Sequence, residues 1–396
     1  MHMKHVVILG AGVAGLEAAL ALRDLAKDAV SVEVVSHESE FVYRPLAVAA
    51  PFRLGEARRF PVSHLLDDTG ASLTQAEAST VAPDRQTVIT STGERPYDYL
   101  LVALGAKPVA AIAGADVTFR GPQDEVAFGD LLREAREGRV NRIVFTMPHG
   151  LSWPLPLYEL ALLTAVHLAD AGALGVKIDV VTPEPQPLQL FGPEASEAIA
   201  ELFELHGIGL ETETVPLGAA DGVLQFAGGR ELEADRVVAL PRLEGPRLMG
   251  LPQDAAGFIP VDEHQTVRGW YDVFAAGDAT DFPVKQGGLA TQQADAAAQA
   301  IARAAGVDID AEPFRPVLRG LLLTGLTPRF LRAEVGKHQA EVDTESLWWP
   351  PAKIVGRYLA PFLADHLELS TVPPGGTSVQ VDVELDRGPA GAWLRI

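Results

Sequence analysis

No cysteine occurs among the 396 residues of this chain. That absence removes disulfide frameworks, cysteine-ligated zinc, iron–sulfur clusters, thiol nucleophiles and dithiol redox chemistry together. Any redox chemistry must belong to a bound cofactor. Basic residues are scarce as well: 32 lysines and arginines face 53 aspartates and glutamates, a formal charge of −21. This balance repels phosphate backbones and anionic lipid headgroups, so no nucleic acid partner is expected. No stretch reaches the ~20 apolar residues of a membrane span. Met1-His2-Met3-Lys4 runs directly into an apolar strand without a signal-peptide core, which makes a cytoplasmic protein without integral membrane contact the expectation. The ten histidines show no metal-ligand spacing and no GxSxG motif occurs, so no metal site and no serine nucleophile are expected.

Glycine and apolar residues are abundant, with 37 glycines and 47% hydrophobic residues. At ~150 residues per domain the chain divides into two or three domains, each able to bury a core. His5 to Leu9 is a short β-branched run, followed at once by Gly10-Ala11-Gly12-Val13-Ala14-Gly15 and then by the alanine- and leucine-rich stretch 16–26. Strand, glycine turn and helix is the order of a dinucleotide-binding βαβ unit. There Gly10 permits the tight turn, Gly12 lets backbone amides approach a pyrophosphate, and Gly15 lets the helix pack on the strand. A second strand, Ser31 to Val35, leads to Glu38, which lies 28 positions after Gly10 and is the candidate ribose-binding acid.

A further strand, Tyr97 to Val102, closes in Ala103-Leu104-Gly105, and a second βαβ unit begins near residue 141, with a strand at 141–147, a helix at 157–171 and a strand at 176–181. Its turn reads Pro148-His149-Gly150-Leu151-Ser152-Trp153-Pro154-Leu155-Pro156. Three prolines and a tryptophan stand where a pyrophosphate needs bare amides, so this unit is expected to keep the fold of a dinucleotide site and to bind a dinucleotide poorly. Phe274-Ala275-Ala276-Gly277-Asp278 is a strand ending in Gly-Asp, and after Lys285-Gln286-Gly287-Gly288 a helix is expected over 289–305. An aspartate at a strand end and glycines at a helix start suit the gripping of hydroxyls and the aiming of a helix dipole. The remainder reads as a small C-terminal α+β appendage with Trp348-Trp349-Pro350-Pro351, a helix over 354–363, a Pro373-Pro374-Gly375-Gly376 turn and an alternating strand over 378–385. No internal repeat beyond the two βαβ units is evident.

Together these motifs resemble the two-dinucleotide-binding-domain flavoproteins of the pyridine nucleotide-disulfide oxidoreductase superfamily. The resemblance runs over roughly residues 4–305 and is closest to the sulfide:quinone oxidoreductase and type II NADH dehydrogenase branch. Phe41-Val42-Tyr43-Arg44-Pro45 stands where disulfide reductases carry their cysteine pair, and Lys285-Gln286-Gly287-Gly288 resembles the lysine-glycine turn of that branch. The resemblance implies an α/β fold of two Rossmann-like FAD/NAD(P)-binding domains. The parts would be 1–115 and 247–306 for FAD, 116–246 for a degenerate NAD(P)-type domain, and 307–396 for the appendage.

It also implies FAD, with Gly10, Ala11, Gly12, Ala14 and Gly15 at the pyrophosphate, Glu38 at the ribose, and Gly277 and Asp278 at the ribityl chain. Arg44, Pro45, Val81, Ala103, Leu104, Gly105, Lys285, Gly287 and Gly288 complete the expected cofactor set. Lys285, Tyr43 and His149 are the candidate catalytic residues: Lys285 at the flavin N1/C2=O edge, Tyr43 beside the ring, and His149 as a proton carrier in a loop facing the flavin, next to Trp153. Tyr158-Glu159 matches a tyrosine-glutamate pair of the sulfide:quinone branch.

The expected activity is transfer of two electrons through non-covalent flavin from a small-molecule donor to an acceptor, a quinone among the candidates, without cysteine chemistry. The alternatives are an NAD(P)H:acceptor oxidoreductase with an atypical nucleotide loop and a non-catalytic flavin-binding protein. Sulfide:quinone oxidoreductases relay sulfur through cysteines, which this chain lacks. The paired tryptophans point to a homodimer or interdomain contact.

Overall fold

The computed structural model describes residues 3–67, 69–151, 153–334, 339–348 and 351–366. Strand β1 (Lys4–Leu9), helix α1 (Val13–Ala26) and strand β2 (Val30–Ser36) form the first βαβ unit, to which β3 (Ser72–Gln75) and β4 (Tyr99–Val102) add. Val6 to Leu9 are fully buried, because both faces of a parallel sheet are covered, and the strand is continuously apolar for that reason. The chain then builds a second sheet from β5 (Val117–Thr118), β6 (Arg142–Thr146), helix α2 (Leu155–Asp170), β7 (Lys177–Val181), β8 (Ile208–Glu211) and β9 (Arg236–Ala239). It returns to the first sheet with β10 (Val273–Ala275) and helix α3 (Gly287–Ala304).

Both sheets are five-stranded and parallel, ordered β10-β4-β1-β2-β3 and β5-β9-β6-β7-β8. Each carries a three-stranded antiparallel meander before its next core strand, at 78–96 in the first and 216–233 in the second. The internal repeat is therefore longer than the two βαβ units legible in the sequence. The two chain crossings, Lys107–Val109 and Arg242–Glu244, pair antiparallel with each other.

Beyond residue 314 an antiparallel sheet of β11 (Arg319–Leu322), β12 (Arg329–Glu334) and β13 (Gln339–Asp343) adds Leu322 and Leu331 to the core of the second unit. Trp348 is buried within the chain, edge-on to Phe330 with its indole N–H donating to the Ala352 carbonyl at 2.9 Å. Trp349, Pro350, the 373–376 turn and the 378–385 strand lie outside the described residues. The expected helix over 354–363 is corrected: α4 spans Leu359–His366, and residues 353–358 run as a non-helical strap. The strap's backbone groups are taken by neighbours rather than by a helix. The Ile354 N–H meets the Tyr43 hydroxyl at 3.4 Å, and the Val355 carbonyl accepts from Thr291 at 2.6 Å. Among the described residues no helix is long and apolar enough to cross a membrane.

Candidate flavin site and cavity

The glycine turn separates three jobs sterically. A Cβ on Gly10, which has φ +103°, would lie 2.5 Å from the Ala103 carbonyl oxygen, and one on Gly15 would lie 1.9 Å from the Gly10 oxygen. A Cβ on Gly12 would meet nothing within 4 Å. Gly10 and Gly15 are therefore demanded by the fold, whereas Gly12 borders open space. Gly12 is also the N-cap of α1, with no side chain capping the helix and no acid in its first turn. Unsatisfied amides at a helix start facing open space match what a pyrophosphate needs.

Ala103 and Gly277 pack against this turn. The Ala103 amide donates to Leu9 at 2.8 Å, which holds 103–105 against Gly10. Gly277, at φ +75°, packs between α1 and α3, where an added Cβ would come within 3.1 Å of the Ala14 Cβ, and its amide donates to Gln293 at 2.8 Å. Asp278 follows. It lines a cavity of ≈ 270 Å³ together with Arg44, Pro45, Lys285 and Gly287, opposite Trp153 and Leu155 from the second unit. Burial raises the Asp278 pKa while Lys285 and Arg44 oppose the shift, and among the described residues its carboxylate makes no hydrogen bond. A half-buried acceptor with no donor among the described residues, lining a cavity, suits a hydroxyl-bearing chain.

Lys285 is only 8% exposed. Its ammonium donates to the Thr280 carbonyl and sits 3.8 Å from the Phe258 ring centroid. Burial pulls its pKa down to about 8, although Asp278, Asp281 and Asp254 pull the other way. The Gln286 side chain caps α3 by accepting the Leu289 N–H at 2.9 Å; Gly287 and Gly288 open that helix, and Gly287 lines the cavity while Gly288 does not.

Four expected positions lie away from the cavity. Tyr43 does not line the cavity: it is 2% exposed, its hydroxyl lies under the strap, and burial pushes its pKa up to about 12, so it packs as a neutral ring. His149 is exposed and is not part of the cavity wall: among the described residues of its turn only Leu151, Trp153, Leu155 and Pro156 reach it. Val81 is buried and already donates its amide to Met249 at 2.9 Å. Glu38 stands exposed just past β2, paired with His37 at 3.1 Å.

A second buried pair in the wall was not foreseen. Glu159 of α2 and Lys353 of the strap meet at 2.5 Å with side chains 1% and 8% exposed, and the Leu323 N–H also donates to Glu159 at 2.8 Å. Burial raises the Glu159 pKa and the Lys353 ammonium opposes it. The Tyr158-Glu159 motif was the only signal, since a partner 194 positions away has no local pattern.

In the second unit, the acid after β7 is Glu184. Its carboxylate accepts from the Tyr158 hydroxyl at 2.5 Å and from Thr182 at 3.2 Å, and burial lifts its pKa to about 7.

The sequence pattern of the pyridine nucleotide-disulphide oxidoreductases matches residues 4–143 and 161–304. The chain belongs to that family. Its members are flavin-dependent oxidoreductases, and this family member is an enzyme of that kind. A sulfide-quinone reductase of Aquifex aeolicus is 29% identical over 46% of this chain, a match that spans 44% of that relative. An NADH dehydrogenase-like protein of Mycobacterium tuberculosis is 29% identical over 70% of this chain and 72% of its own. Among solved structures, the sulfide:quinone oxidoreductase of Aquifex aeolicus superposes with a TM-score of 0.80 at 19% identity, covering 94% of this chain and 100% of that one. The two-domain α/β fold is thus shared.

Proposed function

We propose that this family member binds FAD non-covalently and passes two electrons from a small-molecule donor to a quinone-type acceptor without cysteine chemistry. The observation that carries the reading is the cavity between the two units. One wall offers Asp278, Lys285 and the start of α3, and the other offers Trp153, Leu155 and the Glu159–Lys353 pair. When bound, FAD would supply the two-electron redox chemistry that no side chain here can. The Gly12 turn would hold its pyrophosphate, Glu38 its ribose, and Asp278 its ribityl hydroxyls. Lys285 and the α3 N-terminus place positive charge where reduction adds negative charge. Trp153 and Leu155 give an acceptor an apolar surface, and the Glu159–Lys353 pair, whose proton rests on the Lys353 ammonium, supplies one of the two protons that a quinone takes up with two electrons, the other coming from water.

The relatives named for quinone support the acceptor side. The donor side departs from both sets of relatives. Sulfide chemistry lacks its cysteines. The nicotinamide route lacks a cradle, because Pro148, Pro154 and Pro156 offer no amides and Glu184 is spent on Tyr158.

Anaerobic mixing of the flavin-loaded protein with NADH, NADPH and sulfide tests this assignment. None should bleach the visible flavin absorption rapidly, whereas dithionite followed by a water-soluble quinone should restore it. Fast bleaching by either nicotinamide overturns the donor assignment. A Lys285→Met variant should lower the flavin midpoint potential by on the order of 30 mV, about 1.4 kcal/mol for a two-electron couple. An unchanged potential would remove Lys285 from the flavin edge.

A further inference from the structure

Two carboxyl groups lie behind the cavity and take no part in it. Glu17 of α1 is completely buried, and its two oxygens accept the N–H groups of Tyr358 at 2.9 Å and Leu359 at 2.6 Å, where the strap turns into α4. Asp295 of α3, half-buried, faces Glu17 across the contact between α1 and α3, with one carboxyl oxygen sealed from solvent and, among the described residues, without a hydrogen-bond partner. The strap is fitted closely here. A Cβ on Gly356 would come within 2.9 Å of Glu17 Oε2 and 2.8 Å of Thr291 Cγ2. The other charged and titratable groups at this contact are Arg357, which lies near Asp295 and 5.4 Å from the Tyr358 ring centroid, and Asp24, which accepts from the Tyr358 hydroxyl at 3.1 Å. The same strap delivers Lys353 to Glu159 in the cavity.

We propose that Glu17 and Asp295 share one proton and form a latch: protonated, the pair holds residues 353–366 on α1 and α3 and keeps Lys353 in the cavity; deprotonated, it lets the strap lift. Both are positioning residues, since neither reaches the cavity wall. Two carboxyl groups facing each other, one fully and one half-buried, resist ionising together. Burial and the charge of Glu17 push Asp295 up to about 8, with Arg357 pulling it back, and burial raises Glu17 while the strap amides oppose that rise. With the strap lifted, Asp295 returns to an ordinary value near about 4. The closed state therefore holds the extra proton between those values. Closure weakens as pH rises through that window and stops weakening above about 8.

The inference stands apart from the flavin chemistry proposed above, because it can be read on the full chain with or without cofactor. Hydrogen-exchange protection factors for amides of 353–366, corrected for intrinsic rates, should fall roughly tenfold per pH unit between about pH 6 and about pH 8 and then level off. In Asp295→Asn, which keeps a donor and removes the second charge, they should stay flat. A wild-type profile that is flat over this range overturns the latch by itself, whether or not the variant folds. An Asp295→Asn profile with the wild-type slope overturns it equally.

Discussion

Gly12→Val should purify as a folded but colourless protein, with flavin affinity reduced at least about a hundredfold, roughly 2.8 kcal/mol. Its backbone, φ −82° and ψ −168°, is extended and open to any residue, and a Cβ there touches nothing. The fold gives no reason for glycine at this position, so the only expected loss is to whatever occupies the space in front of α1. Gly15→Val is the contrasting case. Its Cβ would sit 1.9 Å from the Gly10 oxygen, which α1 and β1 can avoid only by moving apart, so that variant should fail to fold or lose several kcal/mol of stability. Thermal unfolding and the ratio of flavin to protein absorbance separate the two. Normal flavin content in folded Gly12→Val would show that the cofactor does not lie across this turn.

That contrast shows what was legible in the sequence. The glycine spacing, the 97–105 strand and Gly277-Asp278 are local signatures, and each reports backbone that must pass close to other backbone. The structure duly brings Gly10 onto Ala103 and Gly277 onto Ala14. Features set by distant packing were less legible. Tyr43 sits in a chemically suggestive pentapeptide, but its place under the strap depends on residues more than 300 positions later. The composition of 354–363 reads as helix, yet Thr291, Tyr43 and Glu17 compete for its backbone, and helix begins only where Glu17 caps it. The 216–233 meander is not legible in the sequence, because strands of only three to five residues are too short to show a period.

The same competition makes the Glu159–Lys353 pair the most sensitive point of the cavity. Glu159→Ala would leave the Lys353 ammonium buried without a counter-charge and the Leu323 amide without an acceptor, a loss of about 3–5 kcal/mol. Burying an ion pair, by contrast, adds little net stability, so Glu159→Leu combined with Lys353→Met should recover most of that loss. If the pair served only to fasten the strap, the double variant would also recover activity. On the proposed reading it should not, since the apolar pair cannot hand a proton to a quinone oxygen. Its quinone-dependent reoxidation should fall by about 10²–10⁴-fold while flavin content stays normal. Urea unfolding gives the stability half of this experiment, and stopped-flow reoxidation by a soluble quinone gives the other. A double variant that is stable and reoxidises at the wild-type rate would reduce the pair to architecture. A single variant that loses less than about 1 kcal/mol would mean that Lys353 finds water when its partner is gone, contrary to the burial of both groups.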